Sequence, residues 1–208
     1  MIVREGYPFI IAALIFAVLA GVAGGPYWSV PLLVLMLYFA YFFRNPDRKI
    51  PGDADVLVSP ADGKVMDVVP VEYDDFIKGP GTKVIIFLSV FDVHVNRSPI
   101  EGEIKFQSYV CGRFKPAFKD SVGFENERHM IGIVNDRLKI TVTQIAGILA
   151  RRIVSWVTLD DILEKGECYG LIRFGSCTEV VMPASVQVLT KKGDKVVGGE
   201  SIIGRIKS

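Results

Sequence analysis

Apolar residues are distributed unevenly along this chain, and their spacing predicts two kinds of structure. Residues 6–43 form a run of 38 residues without a charged side chain, interrupted by Gly24-Gly25-Pro26. As one helix this run would be about 57 Å long, well beyond a bilayer core of about 30 Å. Divided at the Gly-Gly-Pro, each half is near the minimum spanning length. The pattern therefore predicts an N-terminal α-helical hydrophobic hairpin over residues 1–44 that serves as a membrane anchor.

Positive charges flank this apolar run on both sides. Arg4 precedes it, and Arg44, Arg48 and Lys49 follow it. This distribution favours a hairpin with both ends on the cytoplasmic face of the cell membrane. The small residues of Leu19-Ala20-Gly21 raise the alternative of a cleaved signal peptide, against which the second apolar run argues. The lengths leave open whether the hairpin spans the bilayer or dips into one leaflet.

Beyond Pro51 the pattern changes to short apolar runs separated by glycine and charged turns, and no long amphipathic helix follows residue 50. Alternation of apolar and polar residues with a period of two is typical of strands. The clearest strand-like runs are residues 83–90, 138–143, 152–157 and 178–181. We expect a mostly β domain over residues 45–208, built as a barrel or sandwich because closure removes exposed strand edges.

Two short patterns each occur twice within this β-rich part. Residues 59–65 (Ser-Pro-Ala-Asp-Gly-Lys-Val) resemble residues 98–104, and residues 161–167 match residues 194–200 as Asp-x-(Leu/Val)-x-x-Gly-Glu. Each pair predicts a strand–turn–strand unit built twice. The second pattern is similar to the β-hairpin turns of biotinyl and lipoyl carrier domains. Divergent turns of similar chemistry explain the echoes equally well.

Composition excludes some functions and narrows the chemistry. The net charge is +1, so no bulk electrostatic attraction to nucleic acid is expected. The three cysteines are an odd number without metal-ligand spacing, which indicates reduced thiols in the cytoplasm. Any imidazole chemistry must use His94 or His129, since the chain has 2 histidines.

Three residues are candidates for a serine-activating site. Ser176 follows Gly175 between two apolar runs, and a glycine there tolerates the close approach that attack on its own carbonyl requires. His94 stands at the end of a strand-like run and is suited to proton transfer at neutral pH. Asp62 could orient that histidine as the third group of an Asp–His–Ser relay. Each residue alone is equally compatible with an ordinary turn.

A polar, glycine-bearing segment at residues 112–123 predicts a loop with few apolar anchors. Its cations Arg113 and Lys115 are candidates for contact with an anionic head group or the membrane surface. A plain solvated loop explains the same composition.

Taken together, the motifs resemble the short, membrane-anchored class of phosphatidylserine decarboxylases. The resemblance covers nearly the whole chain, and the order of its motifs is more specific than any one of them. His129 stands where we expect asparagine, so it is given no catalytic role. The motifs that carry the resemblance are 42–46 (Phe-Phe-Arg-Asn-Pro), 59–63 (Ser-Pro-Ala-Asp-Gly), 91–97 (Phe-Asp-Val-His-Val-Asn-Arg), 125–128 (Glu-Asn-Glu-Arg) and 173–176 (Arg-Phe-Gly-Ser).

The resemblance implies a self-processing, pyruvoyl-dependent enzyme. Asp62 and His94 would activate Ser176, which attacks the Gly175 carbonyl and splits the chain into residues 1–175 and 176–208. Ser176 would become a pyruvoyl cofactor, with no metal and no pyridoxal phosphate. A Schiff base with phosphatidylserine, or an archaeal ether-lipid equivalent, would lose CO2 and give the ethanolamine lipid, with His94 as proton donor. The implied partners are the membrane and its phospholipid, and a homo-oligomer is left open.

Two other functions fit parts of the sequence. A membrane-tethered, lipoyl-like carrier or adaptor explains the repeated turns, although no modifiable lysine lies at a hairpin tip between them. A hydrolase that uses Ser176 or Cys177 as nucleophile lacks the G-x-S-x-G elbow. Replacing Ser176 with alanine distinguishes these functions, because only a self-processing chain would then remain uncut.

Overall fold

The computed structural model describes residues 1–112, 126–147, 152–173 and 176–207. The chain divides into two compact units, Met1–Asp47 and Arg48–Ser208. Gly175, Arg113 and Lys115, all named above as candidates, lie outside the described residues.

The N-terminal unit is a helical hairpin, as its apolar pattern predicts. Its two helices are α1 (Tyr7–Gly24) and α2 (Val30–Phe42), with 3-10 turns at Arg4–Gly6 and Pro26–Ser29. One described helical segment, Arg4–Gly24, is long and apolar enough to cross a membrane, and the second, Pro26–Phe42, is shorter.

Small residues and end contacts hold this hairpin together. Gly25 turns the chain with φ of 93°, a region that favours glycine. The Ser29 hydroxyl donates a hydrogen bond to the Ala17 carbonyl oxygen of α1 at 2.8 Å. At the open end the Val3 N–H donates to the Phe43 carbonyl oxygen at 2.9 Å. The two ends of the hairpin therefore meet, which is the arrangement that flanking charge of one sign favours.

The C-terminal unit is built from antiparallel strands, which confirms the prediction of a mostly β domain. In the described residues the strands are β1 (Val56–Val58), β2 (Gly63–Asp74), β3 (Gly79–Leu88), β4 (Val95–Arg97), β5 (Gly102–Val110), β6 (Arg128–Val134), β7 (Lys139–Ala146), β8 (Ile153–Ser155), β9 (Ile162–Leu163), β10 (Cys168–Ile172), β11 (Ser176–Pro183), β12 (Val186–Val188), β13 (Lys195–Val196) and β14 (Ile202–Ile206).

Three sheets organise these strands. The large sheet has the order β13-β2-β3-β11-β7-β6-β5-β9 and curls into a half-barrel. Two smaller sheets have the orders β1-β14-β12 and β4-β10-β8. The expected barrel is thus open, and the edges of the large sheet are the two-residue strands β13 and β9. Such short edges offer little to an unwanted pairing partner.

Strand β11 lies at the centre of the large sheet and separates two environments. Val180 and Met182 on one face belong to the main hydrophobic core. Glu179 and Val181 on the other face line a cavity of about 370 Å³. Because successive side chains point to opposite faces of a strand, Ser176 and Thr178 share the core-side face.

The sequence echoes correspond to equivalent local structures. The Ser59 hydroxyl donates to the Ala61 carbonyl oxygen at 2.7 Å, and the Ser98 hydroxyl donates to the Ile100 carbonyl oxygen at 2.6 Å. Ser59 pairs through its backbone with Gly199, and Ser98 pairs in the same way with Gly166. These two glycines have φ of 79° and 80°. A strand–turn–strand unit is therefore built twice, as the echoes predict.

Candidate active site

Ser176 is the first residue of β11 and is completely buried. Its cross-strand neighbours are Leu88 at the end of β3 and Ala146 at the end of β7. Among the described residues its hydroxyl oxygen has no hydrogen-bond partner. Buried hydroxyls are normally paired, so an unpaired one at this place is the kind of exception that a reacting group makes.

The His94 imidazole is fully buried at the end of the turn that joins β3 to β4. Its Nδ1 donates a hydrogen bond to the Asp92 carbonyl oxygen at 3.0 Å. A carbonyl oxygen only accepts, so Nδ1 carries the proton and the lone pair of the neutral ring lies on Nε2. The Asp92 carboxylate closes the same turn by accepting from the Ser89 N–H at 2.8 Å. Nε2 is therefore the nitrogen suited to act as a base.

The sheet topology brings the His94 segment to the beginning of β11. Strand β4 pairs with β10, and the Ile172 N–H at the end of β10 donates to the His94 carbonyl oxygen at 3.2 Å. From Ile172 the chain runs directly on to β11, which begins at Ser176. On the other side, Leu88 pairs with Ser176, and the turn carrying His94 starts at the next residue. Both connections place His94 and Ser176 at the same end of the β3–β11 pair.

Asp62 lies in the turn before β2 and is held by two groups. The Arg48 Nη2 donates to both carboxylate oxygens, at 2.9 and 2.8 Å, and the Gly198 N–H donates to Oδ1 at 2.8 Å. A side chain at position 198 would bring its Cβ within 3.2 Å of the Asp62 Oδ1. Sequence reasoning did not identify Arg48 as part of this site. The orientation of His94 by Asp62 stays a prediction.

A chain of buried hydrogen bonds lies beside these candidates. The Asn96 amide donates to the Thr178 hydroxyl at 2.9 Å and to the Pro60 carbonyl oxygen at 3.3 Å. The Gln144 amide donates to the Asn96 Oδ1 at 2.8 Å, and the Gln144 Oε1 lies 3.0 Å from the His129 Nδ1. Asn96 belongs to a motif of the sequence analysis, whereas Gln144 carries no local signal.

The Asn-Glu-Arg motif also reaches the strand next to Ser176. The Asn126 amide donates to the Ala146 carbonyl oxygen at 2.7 Å, and Ala146 is a cross-strand neighbour of Ser176. The Glu127 carboxylate accepts from the Tyr109 hydroxyl and from the Ile153 N–H. Burial, then the Glu127 carboxylate, raise the pKa of Tyr109 to about 12. The motif thus supports the strand ends around the candidate serine.

Cys177 occupies the face of β11 opposite to Ser176. It packs with Ile145 and is buried, and burial is the main cause that raises the pKa of its thiol. A thiol that stays protonated at neutral pH is a poor nucleophile. The arrangement therefore argues against Cys177 as the nucleophile of a hydrolase. All three cysteines are free thiols.

The buried His129 is expected to make the folded chain less stable in acid. Burial lowers its pKa below the ordinary 6.5, so the unfolded chain binds this proton more readily than the folded chain. The stability that the neutral His129 contributes to the folded chain is complete above pH 6.5. It is lost as the pH falls below that value, by at most about 1.4 kcal/mol per pH unit. We expect the free energy of unfolding to fall less steeply below pH 6.5 in the His129→Asn chain than in the chain with His129.

The measurement is urea unfolding of Ser176→Ala and Ser176→Ala/His129→Asn chains from pH 8 to pH 5. The slopes are compared, because the substitution also changes the stability at neutral pH. Equal slopes of the free energy of unfolding against pH in the two chains would show that His129 takes up its proton equally well in the folded and the unfolded state.

Comparisons with known proteins identify relatives along nearly the whole chain. A family model described as phosphatidylserine decarboxylase matches residues 35–204. A phosphatidylserine decarboxylase proenzyme of Carboxydothermus hydrogenoformans is 48% identical over 98% of this chain and 96% of its own length. Proenzymes of the same name from Symbiobacterium thermophilum and Syntrophus aciditrophicus are 48% and 43% identical, over 99% and 98% of this chain and 96% of each relative.

The β-rich fold, the buried serine at the strand end that also carries the His94 turn, and these matches together define a carboxy-lyase. The chain belongs to the phosphatidylserine decarboxylase family. The matches give no support to a non-enzymatic carrier or to an ether-lipid substrate.

Proposed function

We propose that this chain is a self-processing decarboxylase that converts phosphatidylserine to phosphatidylethanolamine and CO2. The observation that carries the proposal is the Ser176 hydroxyl, which is buried and has no partner among the described residues, at the strand end from which the His94 turn starts. The relatives named above are called proenzymes of this activity, which favours a chain that matures by cleavage.

Self-cleavage can be written from this chain's own groups. His94 Nε2 takes the Ser176 hydroxyl proton as the oxygen forms a bond to the Gly175 carbonyl carbon. The Gly175–Ser176 C–N bond then breaks, the nitrogen gains the proton, and the amide has become an ester. Loss of the Ser176 α-proton and cleavage of its Cβ–O bond release the Gly175 carboxylate and leave dehydroalanine. Hydrolysis of dehydroalanine gives a pyruvoyl group and ammonia.

The residues present fit a pyruvoyl group at position 176. β11 pairs with β3 from Ser176 to Pro183 and with β7 from Ser176 to Val181, so the new N-terminus would stay in the sheet after cleavage. The bound group supplies a ketone that takes up the substrate amine and accepts the electron pair left when CO2 departs. The His94 Nε2 is the group that holds and returns a proton there. In the uncut chain the Ser176 side chain is fully buried.

The N-terminal hairpin gives the proposed enzyme its access to lipid. We propose that it anchors the chain at the cytoplasmic face of the membrane, because its apolar surface has no place in water and its flanks are cationic. Anchoring raises the effective concentration of a head group at the bilayer surface. Arg113 and Lys115 remain proposed contacts for that head group.

Intact-protein mass spectrometry of the purified chain tests the proposal. We expect two fragments, residues 1–175 and 176–208, the second lighter by one ammonia than a chain with N-terminal serine. Vesicles containing phosphatidylserine should then yield CO2 and phosphatidylethanolamine. Ser176→Ala should remain uncut and inactive, because no oxygen is left to attack the carbonyl.

Ser108→Ala is a matched control for this experiment. Ser108 lines the cavity on the opposite face of the large sheet, so its loss should leave cleavage unchanged. A wild-type chain that stays at 208 residues after incubation with membranes would contradict the proposed function.

A further inference from the structure

We propose that Asn96 is a positioning residue for self-cleavage, and that His129 holds the Asn96 amide in place through Gln144. This inference rests on the proposed function, because it concerns the geometry around Ser176 before the chain is cut. It gives a role to the second histidine of the chain, which the cleavage steps do not use.

Asn96 contacts the segments of all three candidate groups. Asp62 lies two residues after Pro60, whose carbonyl oxygen accepts from the Asn96 amide. Ser176 lies two residues before Thr178, whose hydroxyl oxygen accepts from the same amide. His94 lies two residues before Asn96 itself. One side-chain amide therefore ties together the three places from which the acid–base groups and the nucleophile project.

The hydrogen-bond chain determines the orientation of every amide in it. The Pro60 carbonyl oxygen only accepts, so the Asn96 nitrogen faces it and the Asn96 Oδ1 faces Gln144. The Gln144 nitrogen must then donate to Asn96, and its oxygen must accept from the His129 Nδ1. The far end agrees with this direction. The Gln107 amide nitrogen donates to the Val157 carbonyl oxygen at 3.2 Å and lies 2.8 Å from the His129 Nε2.

Packing prevents these side chains from turning. Asn96, Thr178 and Gln144 are fully buried, and His129 is 3% exposed. Gly170 of β10 lies against the Gln144 amide, where an added Cβ would be 3.0 Å from the Gln144 Nε2. His129, Gln144 and Thr178 are cross-strand neighbours in one row over β6, β7 and β11. Buried, fully paired networks of this kind specify one arrangement.

Self-cleavage is the step that this chain of hydrogen bonds would assist. An oxygen that attacks the carbonyl of the preceding residue has to be aligned to a fraction of an ångström, and small displacements cost large factors in rate. A rigid tie between the Pro60 turn, the His94 turn and β11 supplies this alignment. Asn96 acts on the reacting groups only through the backbone and therefore is not itself a catalytic residue.

Thr178 variants test the proposal directly. Thr178→Val keeps the shape of the side chain and removes the oxygen that accepts from Asn96, whereas Thr178→Ser keeps that oxygen. We expect Thr178→Val to slow the first-order rate of self-cleavage by about 10- to 100-fold, and Thr178→Ser to slow it by less than about 3-fold. The rate is followed by mass spectrometry after cell-free synthesis.

Thr143→Val is the matched control. Thr143 lies on β7 and faces the cavity on the other side of the sheet, so it is outside the hydrogen-bond chain. The same threonine-to-valine change there should leave the rate within about 2-fold. Thermal unfolding of each variant in a Ser176→Ala background separates lost stability from lost alignment, because that background removes cleavage from the measurement.

His129 variants probe the far end of the chain. Asn at position 129 can place a donor where Nδ1 stands, whereas leucine cannot. We expect His129→Leu to slow cleavage by about 10-fold or more and His129→Asn to recover most of that loss. The proposal is supported if Thr178→Val slows the rate of self-cleavage and if that rate is largely kept in Thr178→Ser and His129→Asn.

Three results would overturn the proposal, and they can be told apart. If wild type is cut and Thr178→Val is cut at the same rate, Asn96 does not position the site, while the proposed function stands. If the wild-type chain is not cut at all, the proposed function fails and the inference fails with it. Slowing that merely parallels the loss of stability, equally in Thr178→Val and Thr178→Ser, also overturns the positioning role.

Discussion

His94→Asn is expected to slow self-cleavage by about 10²- to 10⁴-fold, the usual contribution of a general base. An asparagine nitrogen can keep the hydrogen bond that Nδ1 donates to the Asp92 carbonyl oxygen, so the turn between β3 and β4 should be retained. What is lost is Nε2, the only ring nitrogen of His94 with a lone pair. The measurement is the rate at which the fragments 1–175 and 176–208 appear, with circular dichroism to show that the fold persists.

The same substitution at the second histidine provides the comparison. His129→Asn should slow cleavage by less than about 10-fold, since the donor toward Gln144 can be kept. Equal rates for the two variants would remove His94 from the mechanism. An unfolded His94→Asn chain is recognised from its circular dichroism, and His94→Gln then supplies the second test of the missing base.

Arg48→Met is expected to cost up to about 3–5 kcal/mol of the free energy of unfolding, because it leaves the partly buried Asp62 carboxylate without its cation. The two side chains are 9% and 16% exposed, and the Arg48 Nη2 reaches both carboxylate oxygens. The Gly198 N–H remains as a partner, so the lower end of the range is the better expectation. Arg48→Lys keeps the charge without the guanidinium fork and should recover part of the loss.

Urea unfolding in a Ser176→Ala background measures this loss on an uncut chain. Arg137→Met is the matched control, because the Arg137–Asp55 ion pair lies at the surface, with side chains 42% and 51% exposed. Exposed pairs contribute about 0–1 kcal/mol. If the two arginine variants lose the same free energy of unfolding, the Arg48–Asp62 ion pair stabilises the fold no more than an exposed pair does.

The linker after the hairpin shows how much of the site lies outside the recognisable motifs. The Lys49 N–H donates to the Glu200 carboxylate at 3.0 Å, and Gly166 and Gly199 both lie against the Ile50 side chain. The two glycine turns thus pack against the linker, residues 48–50, and its Arg48 binds the Asp62 carboxylate. In the sequence these turns suggested a carrier domain, whereas in the structure they support the candidate active site.

Local patterns were sufficient for several features of this protein. The helical hairpin follows from an apolar run broken by Gly-Gly-Pro, and the β-rich unit follows from alternating runs, because both depend on the spacing of neighbouring residues. The curled half-barrel agrees with the expected mostly β architecture, and how far such a sheet closes depends on pairing between distant strands. Burial on the outer face of β7 involves the distant end of β2, because the Asp74 carboxylate accepts a hydrogen bond from the Thr141 hydroxyl at 2.9 Å.

By itself the sequence determined the two parts of the chain, the candidates Ser176, His94 and Asp62, and the resemblance that led to the family. Only the tertiary structure decided which groups surround those candidates. Asn96 and Thr178 are 82 residues apart, and Gln144 is 48 residues from Asn96, so no local pattern links them. The physical reason is that strand pairing, set by the burial of a shared core, chooses which distant polar groups meet and must satisfy one another.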